Sequence, residues 1–137
     1  MQGGLGEKSP SELFIGKVCS FNSGLVTHEL MHSLGEIHSQ KRPDRDMFIN
    51  VHNDSIVSSR VAQYNPPCVS CKTYRSPYDC RSIMHYRDYF YAKPNTRTMT
   101  PTAGNAGCNL RSSNNVMTSS DEILLNRMYG CKEGKVY

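Results

Sequence analysis

The sequence has no apolar run long enough to cross a membrane, and it contains neither internal repeats nor low-complexity tracts. It has no basic helix and no interleaved pattern of basic and aromatic residues, since its 16 lysines and arginines are scattered among 12 acidic residues. The first absence excludes a membrane span, and the second gives no indication of a nucleic-acid partner. At 137 residues, 37% of them hydrophobic, the chain is expected to form one soluble globular domain at most.

The N-terminus lacks the charged and apolar segments of a secretory signal peptide, yet the chain contains six cysteines. So many cysteines in a short chain indicate an oxidising compartment and disulfide bonds. A secreted protein represented without its leader reconciles the two observations, so we expect an extracellular location. The cysteines are Cys19, Cys68, Cys71, Cys80, Cys108 and Cys131.

Cys68 and Cys71 have the spacing of half a zinc site, which Cys80 and Cys108 could complete. No paired second Cys-x-x-Cys follows, however, and thiolate zinc sites belong mainly to reducing compartments. Disulfides among these four cysteines are therefore favoured, and their connectivity remains open.

The most informative stretch is residues 28–38, which read HELMHSLGEIH. His28 and His32 lie one helical turn apart on the same face, so both imidazoles can reach one metal ion. Glu29 is turned by about 100° from His28, which makes it a poor ligand. It can instead reach a water activated by the ion and act as the general base.

Gly35 allows such a helix to stop and the chain to reverse, because glycine tolerates a positive φ. The reversed chain can bring His38 back as a third ligand. Three protein ligands leave room for a water, which distinguishes a catalytic zinc site from a closed structural one. The alternatives are a chance occurrence of the pattern and a helix that keeps the ligands but has lost catalysis.

A helix over about residues 24–34 has independent support. Asn22 or Ser23 can cap its start. Its apolar residues point away from His28 and His32, so we expect one face to bind metal and the other to be buried. These apolar residues are Val26, Leu30 and Leu34.

Elsewhere the sequence predicts little regular structure before the C-terminus. Short strands are expected at residues 13–18 and 47–51, whereas 53–82 and 92–118 are expected to be mostly irregular.

A short helix is expected at the C-terminal end. Ser119 and Glu122 have the spacing of a capping box, residues 123–129 are apolar-periodic, and Gly130 is a good stop signal. Cys131 follows directly and would anchor this helix.

A second motif, Ser-Ile-Met-His-Tyr at residues 82–86, would by itself be an apolar turn with Met84 as core filler. Together with the extended histidine motif it resembles the methionine turn of metzincins, in which a methionine forms the floor beneath the zinc. This form of the turn is similar to that of the astacin family. Other segments resemble astacins in the right order, so the resemblance covers nearly the whole chain. They are residues 2–4, Cys19, 42–46, 77–79 and 126–131.

The resemblance implies an α+β, zincin-like metzincin fold with a mostly irregular C-terminal half and a terminal helix. Residues 1–137 would be a partial astacin-like peptidase domain. Within it, residues 1–38 would end the N-terminal subdomain and carry the zinc helix, and residues 39–137 would form the C-terminal subdomain. Residues 2–4 align with a strand well inside the astacin domain, so we expect the fold to be truncated at its N-terminal sheet.

The resemblance also implies a zinc-dependent endopeptidase that binds one zinc ion per chain and hydrolyses protein or peptide substrates held extended across its cleft. Glu29 would be the general base. Tyr86 would be an additional ligand that can leave the metal and hydrogen-bond the developing oxyanion, as suits a phenol. The oligomeric state is left open. The implied zinc ligands are His28, His32, His38 and Tyr86.

Two rival interpretations remain: a catalytically silent zinc-binding or interaction module, and an inactive truncated fragment. The presence of both Glu29 and Tyr86 argues against a silent module. The chain departs from astacins at Ser39, where the family carries the glutamate that ties down the mature N-terminus. In the family Cys19 and Cys131 pair with cysteines further upstream, so both are expected to lack their usual partners. We therefore expect these 137 residues alone to fold poorly and to cleave weakly.

Arg87 and Lys93 follow the methionine turn, where metzincins shape the pocket just beyond the scissile bond. They predict a preference for acidic residues at that position of the substrate. The alternative is that both side chains face solvent.

Overall fold

The computed structural model describes residues 16, 22–67, 76–112 and 115–131. These residues form two helices and one small sheet, joined by loops and short 3₁₀ turns, so the expected α+β class is confirmed. They include no helix of the length and apolarity needed to cross a bilayer. The regular elements are α1 (Ser23–Ser33), β1 (Ile49–Val51), β2 (Met99–Pro101) and α2 (Ser119–Tyr129).

The two strands pair antiparallel, with Asn50 opposite Thr100. Strand β1 confirms the strand predicted near 47–51. Strand β2 lies within residues 92–118, which are otherwise mostly irregular over their described part, as expected. The sequence does not predict this strand, because three residues ending in a proline are too few for an alternating pattern to be recognised. The strand predicted at 13–18 lies, apart from residue 16, outside the described residues.

Helix α1 begins at the expected cap. The Asn22 side chain accepts a hydrogen bond from the N–H of Leu25 at 3.2 Å, which satisfies one of the free donors of the first turn. The chain leaves the helix through Leu34 and Gly35, where φ is 94°. This left-handed backbone is the reversal that the glycine predicted.

The burial of α1 differs from the prediction. Leu30 and Leu34 are 47% and 38% exposed, whereas Met31 is only 2% exposed. Met31 lies between the histidine face and the predicted apolar face, about 60° around the helix from both His28 and Leu34. The predicted buried face is therefore wrong, because the core contacts the flank of α1 that carries Met31.

Helix α2 is confirmed, but its capping box starts one residue earlier than predicted. Thr118, not Ser119, is the N-cap, and its partner is Asp121, not Glu122. The Thr-x-x-Asp spacing satisfies the same rule, and burial of the Asp121 carboxylate selects it. Gly130 ends the helix with φ at 63°, as expected.

Two apolar clusters form the core. The larger lies around the sheet, and the smaller lies between the two helices, where Met31, Ile83 and Met84 pack with Met117 and Leu125. The larger cluster consists of Ile49, Ile56, Tyr64, Met99 and Leu110.

A disulfide joins Cys80 to Cys108 beside the larger cluster. Disulfide sulfurs are not thiolates, so the alternative zinc site that needed these two cysteines is wrong, and the favoured disulfide interpretation is confirmed for this pair. Cys131 forms no disulfide with a described residue. Cys19, Cys68 and Cys71 lie outside the described residues, and the subdomain boundary at residue 38 stays a prediction.

Candidate metal centre

Three histidines converge at the end of α1. His28 and His32 lie one turn apart on the helix, and the reversal at Gly35 returns the chain beside them. The Nε2 atom of His38 lies 3.2 Å from Nε2 of His28 and 3.2 Å from Nε2 of His32. Each ring thus offers one nitrogen to a common point.

Backbone carbonyls set the protonation of two of these rings. The Nδ1–H of His28 donates to the Ile83 carbonyl at 2.7 Å, and the Nδ1–H of His32 donates to the Glu36 carbonyl at 2.8 Å. A carbonyl oxygen can only accept, so in the neutral form of each ring Nδ1 carries the proton and Nε2 presents a lone pair. Metal-binding histidines are oriented by outer hydrogen bonds of this kind.

The surroundings disfavour the charged form of two of the three histidines. Burial, together with repulsion from His32 and His28, lowers the pKa of His38 to about 2. Burial likewise lowers the pKa of His32. Neutral nitrogen lone pairs that face one another repel unless a cation lies between them, and zinc prefers imidazole nitrogen among its ligands. The chemistry of this donor set therefore fits zinc.

The turn at residues 82–86 lies beneath the cluster. Met84 is 1% exposed and packs against Met31 of α1 and against Ile83. The same turn supplies the Ile83 carbonyl that accepts from His28. The turn therefore both fills the space under the helix and orients one of its histidines.

Hydrogen bonds fix both the backbone N–H and the backbone carbonyl of Tyr86. Its N–H donates to Oε1 of Gln40 at 3.1 Å, and the Nδ1–H of His85 donates to its carbonyl at 2.6 Å. Burial lowers the pKa of His85 to about 4, so this ring is neutral and its Nε2 accepts from the Tyr78 hydroxyl at 2.8 Å. The Tyr86 ring centre lies 4.3 Å from that of His38. Burial also raises the pKa of the Tyr86 phenol, so its hydroxyl keeps its proton.

One open cleft of about 830 Å³ is lined by the three histidines, by Ile83 and His85 of the turn, and by Tyr86. Glu29, beside the first histidine on α1, lines it together with the three histidines and Tyr86. The structure thus brings the five predicted site residues to one place. Arg87 also lines the cleft, whereas the Lys93 ammonium donates to the Asp54 carbonyl at 2.7 Å.

Three supporting groups escape prediction from the motifs: the carbonyls of Ile83 and Glu36, and the side chain of Gln40. Every residue has a backbone carbonyl, so residue types do not show which carbonyls will contact the histidines. Gln40 is completely buried although glutamine is usually exposed, and only its position two residues after His38 associates it with the site.

The family model for astacin, a peptidase family, matches residues 3–130. Protein SpAN of Strongylocentrotus purpuratus is 33% identical over 125 residues, which cover 89% of this chain and 20% of SpAN. Zinc metalloproteinase nas-14 of Caenorhabditis elegans is 31% identical over 114 residues, covering 82% of this chain and 22% of that protein. The chain therefore spans about a fifth of the length of these two relatives.

A solved structure similar to the chain is high choriolytic enzyme 1, a hatching enzyme zinc-protease of the medaka Oryzias latipes. The TM-score is 0.72 at 29% sequence identity, and the match covers 80% of this chain and 53% of that one. The expected fold, that of an astacin zinc protease, is thereby confirmed. Because the family model covers nearly the whole chain, the chain belongs to the astacin family of zinc-dependent peptidases.

Proposed function

We propose that the chain is a zinc-dependent endopeptidase that hydrolyses peptide bonds in proteins. The observation that carries the proposal is the convergence of three histidine Nε2 atoms on the wall of an open cleft. Convergent nitrogens in a closed core would favour a structural site, whereas an accessible cleft leaves room for a substrate. The zinc ligands in this proposal are His28, His32, His38 and Tyr86, for one ion per chain.

Zinc bound there supplies a Lewis acid that polarises the scissile carbonyl and acidifies water. Glu29 takes a proton from the attacking water and returns it to the departing amine. Its place in the cleft beside His28 supports this role, because a general base must share the space in which the water and the substrate meet. Burial keeps the Tyr86 hydroxyl protonated, so it can donate a hydrogen bond to the oxyanion that forms.

The proposed substrate is an extended protein or peptide segment. Arg87 lies in the cleft, so we propose that it favours an acidic residue just beyond the scissile bond. Lys93 contributes little to this preference, since it is not among the residues that line the cleft.

We also propose that the protein acts outside the cell. The Cys80–Cys108 disulfide supports this, because disulfides persist in oxidising compartments.

The decisive experiment compares the wild type with Glu29→Gln and with the control Glu122→Gln, which changes an exposed glutamate of α2 in the same way. Zinc content and hydrolysis of casein are measured for each. We expect all three to bind one zinc and only Glu29→Gln to lose hydrolysis, by at least about 10²-fold. Zinc binding without hydrolysis in the wild type would overturn the peptidase proposal in favour of its two rivals, a silent zinc module and an inactive truncated fragment. Absence of zinc from the wild type would overturn the metal site as well.

A further inference from the structure

Asp121 of α2 is bonded to the methionine turn as well as to its own helix cap. Its carboxylate is 2% exposed. One oxygen accepts from the Ser82 hydroxyl at 2.5 Å, and the other accepts from the Ile83 N–H at 3.2 Å. That second oxygen also accepts from the N–H and the hydroxyl of Thr118, at 2.9 and 3.1 Å. The carboxylate therefore joins the start of α2 to the turn beneath the histidines.

The Ser82 hydroxyl uses its full hydrogen-bonding capacity. It donates to Asp121 and accepts from the Met84 N–H at 3.0 Å and from the Ser39 hydroxyl at 3.2 Å. A hydroxyl has one proton and two lone pairs, so no capacity remains for a water. Both serines are buried, Ser82 at 4% and Ser39 at 9% exposure. We call Ser39, Ser82 and Asp121 the buried polar cluster.

The buried polar cluster reaches two of the three histidines. The N–H of Ile83 donates to Asp121, and the carbonyl of the same residue accepts from His28. Ser39 follows His38 directly, and its N–H donates to the Met84 carbonyl at 3.0 Å. The same turn thus fixes the ring of one histidine and the backbone beside another.

We propose that the buried polar cluster is a positioning unit that holds His28 and His38 in ligand geometry from the start of α2. This inference deepens the proposed function and rests on its zinc site. A short hydroxyl–carboxylate bond in a buried site is stronger than a neutral one, so it is suited to holding a turn rigidly.

The test uses three variants, each of which changes a different contact around the Asp121 carboxylate or restores one. Ser82→Ala removes one of the two bonds between Asp121 and the turn and leaves the bond from the Ile83 N–H. Thr118→Ala removes the cap hydroxyl on the other side of Asp121 and leaves Ser82 and Ile83 in place. Ser82→Thr restores a hydroxyl at position 82. Zinc affinity is measured by competition with a chromophoric chelator, the ligand-field spectrum is recorded with Co²⁺, and thermal melts monitor folding.

We expect Ser82→Ala to weaken zinc binding about 10- to 100-fold, the range for outer partners of metal ligands, and to shift the Co²⁺ spectrum. Ser82→Thr is expected to restore most of the affinity. Thr118→Ala is expected to lower the melting temperature while leaving zinc affinity and the Co²⁺ spectrum unchanged. Should Ser82→Ala not fold, Ser39→Ala takes its place, because it removes one donor from the cluster and leaves the carboxylate paired.

Unchanged zinc affinity and an unchanged Co²⁺ spectrum in the serine-to-alanine variant that folds would overturn the inference. Equal losses of affinity in that variant and in Thr118→Ala would also overturn it, since they would reflect stability alone. These results leave the proposed function standing if wild type binds zinc and Glu29→Gln abolishes hydrolysis. Failure of the wild type to bind zinc would instead remove the proposed function together with this inference.

Discussion

The Nδ1 atom of His28 donates to the carbonyl of Ile83 across 2.7 Å, although the two residues are 55 positions apart in the sequence. This bond joins the helix that carries the first histidine to the turn beneath it. In the neutral ring it also places the proton on Nδ1, so one contact sets the direction of the ring and makes Nε2 the nitrogen with the free lone pair.

Removal of metal should destabilise the protein. A ligand that binds only the folded state at about 100 times its Kd stabilises that state by about 2.7 kcal/mol. We therefore expect a chelator to lower the melting temperature of the wild type and to have little effect on His38→Ala. The control is His52→Ala, which changes an exposed histidine bonded to Thr100. Equal chelator sensitivity of His38→Ala and the wild type would contradict the ligand assignment.

Tyr86→Phe should reduce turnover more than binding. Loss of one oxyanion donor typically lowers kcat by about 10²-fold or more, while KM changes little because the hydroxyl acts mainly in the transition state. Zinc should be retained through the three histidines. Tyr129→Phe is the matched control, since that hydroxyl donates to the Leu34 carbonyl at 3.0 Å and is not among the groups that line the cleft. A kcat equal to that of the control would exclude this role for Tyr86.

Met84→Ala should be strongly destabilising. Met84 is 1% exposed and packs against Met31 of α1. Removal of a buried methionine side chain costs about 2–5 kcal/mol in the free energy of unfolding. Met47 is 72% exposed, so Met47→Ala should change that free energy by less than about 0.5 kcal/mol. Urea titrations of both variants measure the difference, and similar midpoints would argue against a packed floor.

Alkaline pH should unfold the protein partly through Tyr78. Burial raises the pKa of its phenol above its usual value, against the opposing effect of nearby arginines. The stability from neutral Tyr78 is complete below about pH 10 and is lost as pH rises towards the folded-state pKa, because the unfolded chain ionises first. The groups that face it are Phe48, His85, Arg42, Arg45, Asp44 and Asp46.

Tyr78→Phe removes this titration. We expect the free energy of unfolding of this variant to be lower than that of the wild type at neutral pH, because the bond to His85 is lost. Above pH 10 it should fall less steeply with pH than that of the wild type, and the two slopes should differ by up to about 1.4 kcal/mol per pH unit. Chemical denaturation at several pH values between about 9 and 11 measures the slope. Identical slopes for variant and wild type would show that Tyr78 is not responsible.

Cleavage specificity should respond to Arg87 and not to Lys93. In a peptide library, the wild type is expected to favour Asp or Glu immediately after the cut, and Arg87→Glu to reverse this to basic residues. Lys93→Glu introduces the same charge change at a residue that is not among those lining the cleft, so it should keep the wild-type profile. If the wild type shows no enrichment of acidic residues after the cut, the proposed role of Arg87 is wrong.

The sequence predicts the residue types of the site well because their spacing reflects local helix geometry. His28 and His32 follow from one helical turn, and His38 follows from the reversal that Gly35 permits. Residues that depend on tertiary packing could not be predicted in this way. Periodicity alone assigns Leu30 and Leu34 to the buried face, but the turn at 82–86 packs beneath the histidines and buries Met31 instead.

The capping box of α2 illustrates the same limit on a smaller scale. Both Thr118 and Ser119 have an acidic residue three positions later, so local spacing allows either start. The long-range bonds from Ser82 and Ile83 to Asp121 favour the first. The partners of the histidines are backbone carbonyls, whose positions depend on the fold and have no counterpart in residue type.

Gly24 limits how this domain can be engineered. Replacing helix glycines with alanine is a common route to thermostable variants, worth about 0.4–1 kcal/mol where the site accepts the methyl group. At Gly24 an added Cβ would lie 2.5 Å from the carbonyl oxygen of Asn115, a backbone atom that cannot rotate away as a side chain can. Libraries that aim to rigidify the start of α1 should therefore keep Gly24 and vary its exposed neighbours, Ser23 and Leu25.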